Sequence, residues 1–424
     1  MPDANNSHSF FKRILLRILA FGPGIFAIGY TIGTGSVTSM TVAGSEYGMQ
    51  LLWVLLLSCF FSGILMYVYG KFALVTGDTA LYSFKKNLTG GKYLAIFIIL
   101  GITFGQWNSL MGILGITSNI IYELMALNFP SLLGHKYAIV LSIAILIISV
   151  FYMIMLRGSY TFFEKVLILF VTIMGLSFFI SLFFVHPLPT EVIKGLIPSI
   201  PQVPGGKMMV AAFVGTTMAA ATFLSRPLFI KGKGWTIKDL KHQKTDAIIA
   251  ATLVFIISAS IMAVAHGALY NNGLHVEKVL DMANTLEPVA GKMSVTIFFF
   301  GTLCAGLSSI FPCTLIAPIL LADYQSGELD TKSTQFKIVT FIACLVALIV
   351  PIFGANPIQM QILSQVFNVF ILPAVIIGII LVTRQKELMK GHSIHILVTL
   401  SLYAALFFSL VISYNGILGI IELF

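Results

Sequence analysis

Charge is what this chain has least of: Asp, Glu, Lys and Arg together make up 10% of its 424 residues, against about 25% in a soluble globular domain. A surface so poor in charge is not sustained by water, which excludes a soluble enzyme or a nucleic-acid-binding domain as the body of the molecule. Cysteine is scarce as well, and Cys59, Cys304, Cys313 and Cys344 each lie in an apolar run with no metal-ligand spacing and no redox pair. They read as small packing residues. The glycine-rich phosphate loop ending in Gly-Lys-Ser or Gly-Lys-Thr is missing, which argues against ATP-driven pumping by this chain. Nothing resembles a hydrolytic triad on a polar loop, so neither an enzymatic activity nor a cofactor is expected. The polar and then basic start, residues 1–19, lacks a small-residue cleavage site and reads as a cytoplasmic tail rather than a signal peptide.

Almost everything else is apolar. Hydrophobic residues make up 58% of the sequence, and the mean hydropathy is +0.98. A hydrocarbon core about 30 Å thick is crossed by about 20 apolar residues in a helix. Segments of that order fall at about residues 20–47, 51–77, 94–123, 137–156, 160–186, 207–230, 245–270, 293–323, 336–354, 358–383 and 394–421. The chain therefore reads as an all-α polytopic membrane protein of about 11 transmembrane helices, the longest spans being absorbed by tilt or by an interruption. Lys and Arg number 25 against 16 Asp and Glu, and their placement explains the excess without nucleic acid. With the N-terminus in the cytoplasm, cytoplasmic segments carry 17 of the basic residues and outer segments 5, with Lys71, Lys165 and Arg226 near span ends. That bias sets the orientation by the positive-inside rule, and an odd number of spans puts Phe424 outside.

Two spans carry interruptions. The first holds Gly29-Tyr30-Thr31-Ile32-Gly33-Thr34-Gly35-Ser36 near its centre, and the sixth holds Gly215-Thr216-Thr217-Met218-Ala219-Ala220-Ala221-Thr222 followed by Arg226-Pro227. Non-helical backbone at membrane depth is tolerated only where it is buried or lines a cavity. Such small residues also let helices pack closely, but interruptions at corresponding positions of two inverted repeats point to a transporter site. The expected unwinding centres on Gly33-Thr34-Gly35.

Several short motifs occur in order along the chain. Gly22-Pro23-Gly24, Gly29-Tyr30, Ala43-Gly44 and the run from Leu51 to Ser58 occupy the first two spans, and Phe163-Glu164 opens the fifth. Ala305-Gly306-Leu307-Ser308-Ser309 lies in the eighth, and Ser364-Gln365-Val366 with Leu372-Pro373 in the tenth. In this order they resemble the NRAMP family of metal-ion transporters and its relatives over nearly the whole chain. The resemblance implies a LeuT-like fold of two inverted five-helix repeats, residues 20–186 and 207–383, plus one extra helix at 394–421, with helices 1 and 6 interrupted. It also implies secondary transport by alternating access, with the cargo held where the first, third, sixth, eighth and tenth helices meet.

The departures from the family pattern bear on the cargo. The family's metal-binding DPGN segment falls on Gly33-Thr34-Gly35-Ser36, so glycine stands in place of the charged ligand. The AxxMPH segment falls on Thr216 to Ala221, leaving Ala219 at the thioether position and Ala221 at the histidine position. Met218 lies one place off, either aimed inward by a shifted helix or packed in the core. The acidic pair of the third helix is replaced within Gln106-Trp107-Asn108-Ser109. What remains is a neutral candidate set: Thr31, Gly33, Thr34, Gly35, Ser36, Asn108, Thr216, Thr217, Ala219, Gln365 and Asn368. Thioethers select soft transition metals, and carboxylates neutralise a divalent ion in a low dielectric. Lacking both, the site suits an inorganic cation that keeps much of its water, not a typical high-affinity transition-metal cargo. The alternative keeps the fold but carries a small anion, drawn to half-helix N-termini near Ser36 and Thr222, or an uncharged solute. The partners expected are that small ion or solute and the lipid bilayer; the coupling ion is not legible.

The acidic residues Glu46, Asp78, Glu123, Glu164, Asp246 and Asp323 lie near span ends, where anchoring or pairing with a basic neighbour is expected. His266 in the seventh span suits either a proton relay or simple helix packing. Arg226, at the inner end of the sixth span, is expected to snorkel to the headgroups.

Overall fold

A computed structural model describes residues 23–156, 160–184, 189–202, 205–276, 281 and 287–422. The tail at 1–19, with Arg157 and Lys278, lies outside them, and so do the side chains of Phe163 and Glu164. No strand occurs among the described residues. The helices are α1 Pro23–Thr31, α2 Thr34–Tyr47, α3 Leu52–Thr76, α4 Ala80–Asn87, α5 Gly91–Asn128, α6 Lys136–Leu156, α7 Tyr160–Phe184 and α8 Pro189–Gly195. They continue with α9 Gly206–Thr217, α10 Ala220–Gly232, α11 Leu240–Ala268, α12 Glu287–Ser326, α13 Thr334–Ala347, α14 Ile349–Phe353, α15 Pro357–Thr383 and α16 Ile396–Ile421.

Among the described residues ten segments are long and apolar enough to cross a membrane, α9 and α10 counting together as one. The missing span is the first, because α1 and α2 have 9 and 14 residues and neither crosses alone. End to end they complete the set expected from hydropathy.

The two breaks differ in what marks them. Gly33 is extended, with φ −100° and ψ −169°, and a Cβ there would collide with Ser309. The helix resumes at once, since the Val37 amide donates to the Gly33 carbonyl at 3.0 Å. The unwinding is therefore at Ile32-Gly33 and not over Gly33-Thr34-Gly35, because Thr34 and Gly35 already form the first turn of α2. In the sixth span Met218 and Ala219 leave the helix although both are good helix formers. Just before this second break Gly215 lies so close to the Gln365 carbonyl of α15 that no side chain fits between them.

Around the breaks, α5 lies along α12 and α15, while α11 packs against α2 and α3. Gly44 allows that approach, because a Cβ would stand 2.5 Å from the Met262 carbonyl oxygen. The outward faces stay apolar, with Phe97, Leu100 and Phe104 of α5, Leu169 and Leu176 of α7 and Phe407 of α16 exposed, as a lipid-facing surface requires.

Candidate ion-binding site

The two breaks meet. Thr216, in the last turn of α9, donates its hydroxyl to the carbonyl of Thr31, the last residue of α1, at 3.3 Å. Beside them Ser309 of α12 donates to the Gly29 carbonyl at 3.0 Å. The final carbonyls of a helix have no partner within it, so two such ends, each carrying about half a negative charge, converge on one cavity. Its walls are Tyr30, Thr31, Gly33 and Gly35 from the first span, Thr216 and Ala219 from the sixth, Gln106, Ser109 and Ile113 from α5, Ser309 and Cys313 from α12, and Gln361 and Gln365 from α15. Only about 10 Å³ is open to the centre of a water molecule, far below the roughly 300–1,000 Å³ of an organic-ligand pocket.

A chain of neutral groups crosses the cavity wall. The Cys313 thiol donates to Gln106 Oε1 at 3.5 Å, and Gln106 Nε2 donates to Asn368 Oδ1 at 2.9 Å. Asn368 Nδ2 then donates to Gln365 Oε1 at 3.2 Å, and Gln365 Nε2 to the hydroxyls of Ser109 and Ser364, each at 3.4 Å. With its carboxamide turned so that both ends are satisfied, Gln361 accepts from Gly35 N at 3.2 Å, from Gln365 Nε2 at 3.1 Å and from Ser109 Oγ at 2.8 Å, and it donates to the Ser109 carbonyl at 2.9 Å. One exposed backbone donor of the α2 N-terminus is thereby covered. The Tyr30 hydroxyl has no hydrogen-bond partner among the described residues. No Asp, Glu, Lys, Arg or His is among the residues lining the cavity.

Of the residues expected from sequence, Thr31, Gly33, Gly35, Thr216, Ala219 and Gln365 line the cavity, and Asn368 braces it through Gln106 and Gln365. The others face elsewhere. Ser36 meets Ser258 of α11 at 3.3 Å, and Thr217 donates to Ser58 of α3 at 2.6 Å. Thr34 is buried with its hydroxyl unpartnered among the described residues and comes close to Gly306. Asn108 turns away and donates to the Phe104 carbonyl one turn back at 2.7 Å, since Gln106 and Ser109 occupy the inward face of α5. Met218 is buried but does not line the cavity. The candidate set lacked Tyr30, Gln106, Ser109, Ile113, Ser309, Cys313 and Gln361, which also line the cavity. The spacing of Gln361 and Gln365, which stacks them on one helix face, was the available signal for Gln361.

Arg226 departs from expectation. Its side chain is 1% exposed and pairs with Asp246 of α11 at 2.5 Å instead of reaching the headgroups, because a buried guanidinium needs a counter-charge more than it needs the interface. Asp246 Oδ2 also accepts from Gly24 N of α1 at 3.0 Å, and Arg226 donates to the Gln243 carbonyl at 3.3 Å. Asp323 is likewise fully buried, accepting from Leu81 N and Tyr82 N at 3.2 and 3.1 Å at the start of α4. The part-buried acids follow the expected pattern, Glu123 pairing with Lys136 at 2.7 Å and Glu46 with His275 at 2.8 Å. His266 pairs with Glu191 of α8 at 2.8 Å, away from the cavity.

Two interrupted spans meeting at a buried, ion-sized cavity define a polytopic membrane transporter of the LeuT-like class. The chain belongs to the family described as "Natural resistance-associated macrophage protein-like", whose sequence model matches residues 24–419. Among curated relatives, "Divalent metal cation transporter MntH" of Bacillus subtilis is 26% identical over 87% of this chain and 84% of its own. The Brucella suis protein of that name is 27% identical over 91% and 84%. The match to the Clostridium acetobutylicum protein, 27% identical, spans half of each chain. A solved structure of the Eremococcus coleocola manganese transporter superposes with a TM-score of 0.73 at 15% identity, covering 99% of this chain and 88% of that one. Mhp1, a nucleobase-cation-symport-1 family transporter, shares the fold with a TM-score of 0.57 at 13% identity, covering 94% and 90%.

Proposed function

We propose that this chain is a secondary transporter of a hard divalent cation, working by alternating access and binding its cargo weakly through neutral oxygens. The observation that carries the reading is the cavity wall itself: hydroxyls, carboxamides and the ends of two helices, with one thiol, Cys313, already donating to Gln106 and no carboxylate. The size of the cavity favours an ion over an organic solute. Converging helix C-termini favour a cation, the Gly35 amide at the α2 N-terminus is covered by Gln361, and the relatives are named for divalent metal cations. Thr34, Thr38 and Thr41 follow one another at helical spacing on α2, buried and with hydroxyls unpartnered among the described residues. A divalent ion stripped of water without a compensating charge costs several kcal/mol, so affinity is low and a strongly hydrated ion such as magnesium gives up only part of its shell. Residues 20–186 and 207–383 are taken as the two inverted repeats, with the N-terminus cytoplasmic and the C-terminus outside.

Purified protein in liposomes under an inward magnesium gradient is expected to raise the signal of an entrapped magnesium dye, and Gln361→Ala to reduce it. No flux above empty liposomes would remove the proposal. For orientation, a cysteine placed at Lys238 is expected to resist impermeant maleimide in intact cells and to react after permeabilisation; labelling from outside reverses the topology.

A further inference from the structure

A second cavity, of about 630 Å³, opens on the lipid-facing side between α3, α11 and the start of α16. Its walls are apolar: Leu56, Phe60 and Ile64 on α3, Ile248 and Phe255 on α11, and Leu397 on α16. The two long walls run antiparallel, because Gly63 faces Ala251 and Gly70 faces Gln243. Leu56 to Tyr67 and Phe255 to Lys244 are each eleven helical steps, about 16 Å of helix and so about half of a 30 Å hydrocarbon core.

The polar groups collect at one end of the groove. Tyr67, Lys244 and His395 lie there, and Lys244 is exposed with no acidic partner at ion-pair distance among the described residues. His395 Nδ1 accepts from Leu397 N at 3.3 Å, which in a neutral ring leaves Nε2 as an N–H donor. We propose that this groove holds one anionic phospholipid, an acyl chain lying between α3 and α11 and the phosphate at Lys244 and His395. The commitment to a lipid rests on three features: a slot as long as one leaflet, apolar walls open to the bilayer, and an uncompensated cation at the headgroup end. A free phosphate would leave the apolar length unused.

The test is native mass spectrometry of the full chain, delipidated and then offered phosphatidylglycerol or phosphatidylcholine with the same acyl chains. One phosphatidylglycerol is expected to stay bound at collision energies that strip phosphatidylcholine. Lys244→Gln is expected to weaken its apparent affinity about fivefold, the effect of one interfacial cation, whereas Lys241→Gln leaves it unchanged. Thr252→Trp, which fills the slot from an exposed position, is expected to lower retention of both lipids. Equal retention of the two lipids by the unmodified chain, or retention indifferent to Lys244→Gln, would overturn the proposal.

Discussion

The cavity at the helix breaks and the Arg226–Asp246 pair are neighbours along the sixth span, Arg226 lying seven residues beyond the cavity-lining Ala219, about 10 Å, yet they handle charge in opposite ways. The pair buries two full charges at 1% exposure each, while the cavity wall holds no ionisable group other than the Tyr30 hydroxyl and the Cys313 thiol. This fold therefore supports buried charge where both signs are supplied together with a backbone amide. The neutrality of the cavity is a property of the site and not a general intolerance of its surroundings. Charge ties α1 to α10 and α11, while the cavity is lined by neutral groups.

The contrast is broken most severely by removing one member of the pair. Asp246→Asn strands a buried guanidinium and is expected to cost about 3–5 kcal/mol, read as a large drop in the melting temperature in detergent. Arg226→Met combined with Asp246→Leu is expected to recover most of it. A single variant melting like the unmodified chain would show that the pair holds nothing together. A smaller change sharpens the comparison from the other side. Gln365→Glu places a carboxylate in the cavity within reach of Asn368 Nδ2 and the Ser109 hydroxyl, and manganese should then bind about tenfold more tightly or better, roughly 1.4 kcal/mol, by calorimetry. Unchanged binding would mean that the cavity is not where the ion sits. The smallest effect belongs to Asn108→Ala: its side chain is bonded to its own helix and faces away from the cavity, so both flux and melting should stay within about 0.5 kcal/mol of the parent.

Much of this was legible in the sequence, to different depths. Hydropathy gave the spans, and glycine gave the first break to within a residue, because Gly33 combines weak helix preference with a contact that admits no side chain. The second break carries no such local mark. Met218 and Ala219 favour helix, and the close approach of Gly215 to α15 beside them is a tertiary contact that no window of sequence displays. Asn108 was misread because Gln106, Asn108 and Ser109 sit within one turn and only the packing of α5 on α12 and α15 decides which of them face inward. Arg226 and Asp246, twenty residues apart across a loop, carry no periodic signal that would pair them.

The central claim, a neutral site with weak affinity for a hard cation, is tested most directly by the concentration dependence of manganese uptake into proteoliposomes, with cadmium as competitor. Uptake that rises without saturation across the micromolar range and ignores micromolar cadmium is the predicted result, since no carboxylate or thioether lines the cavity. Saturable micromolar manganese uptake competed by cadmium would contradict it.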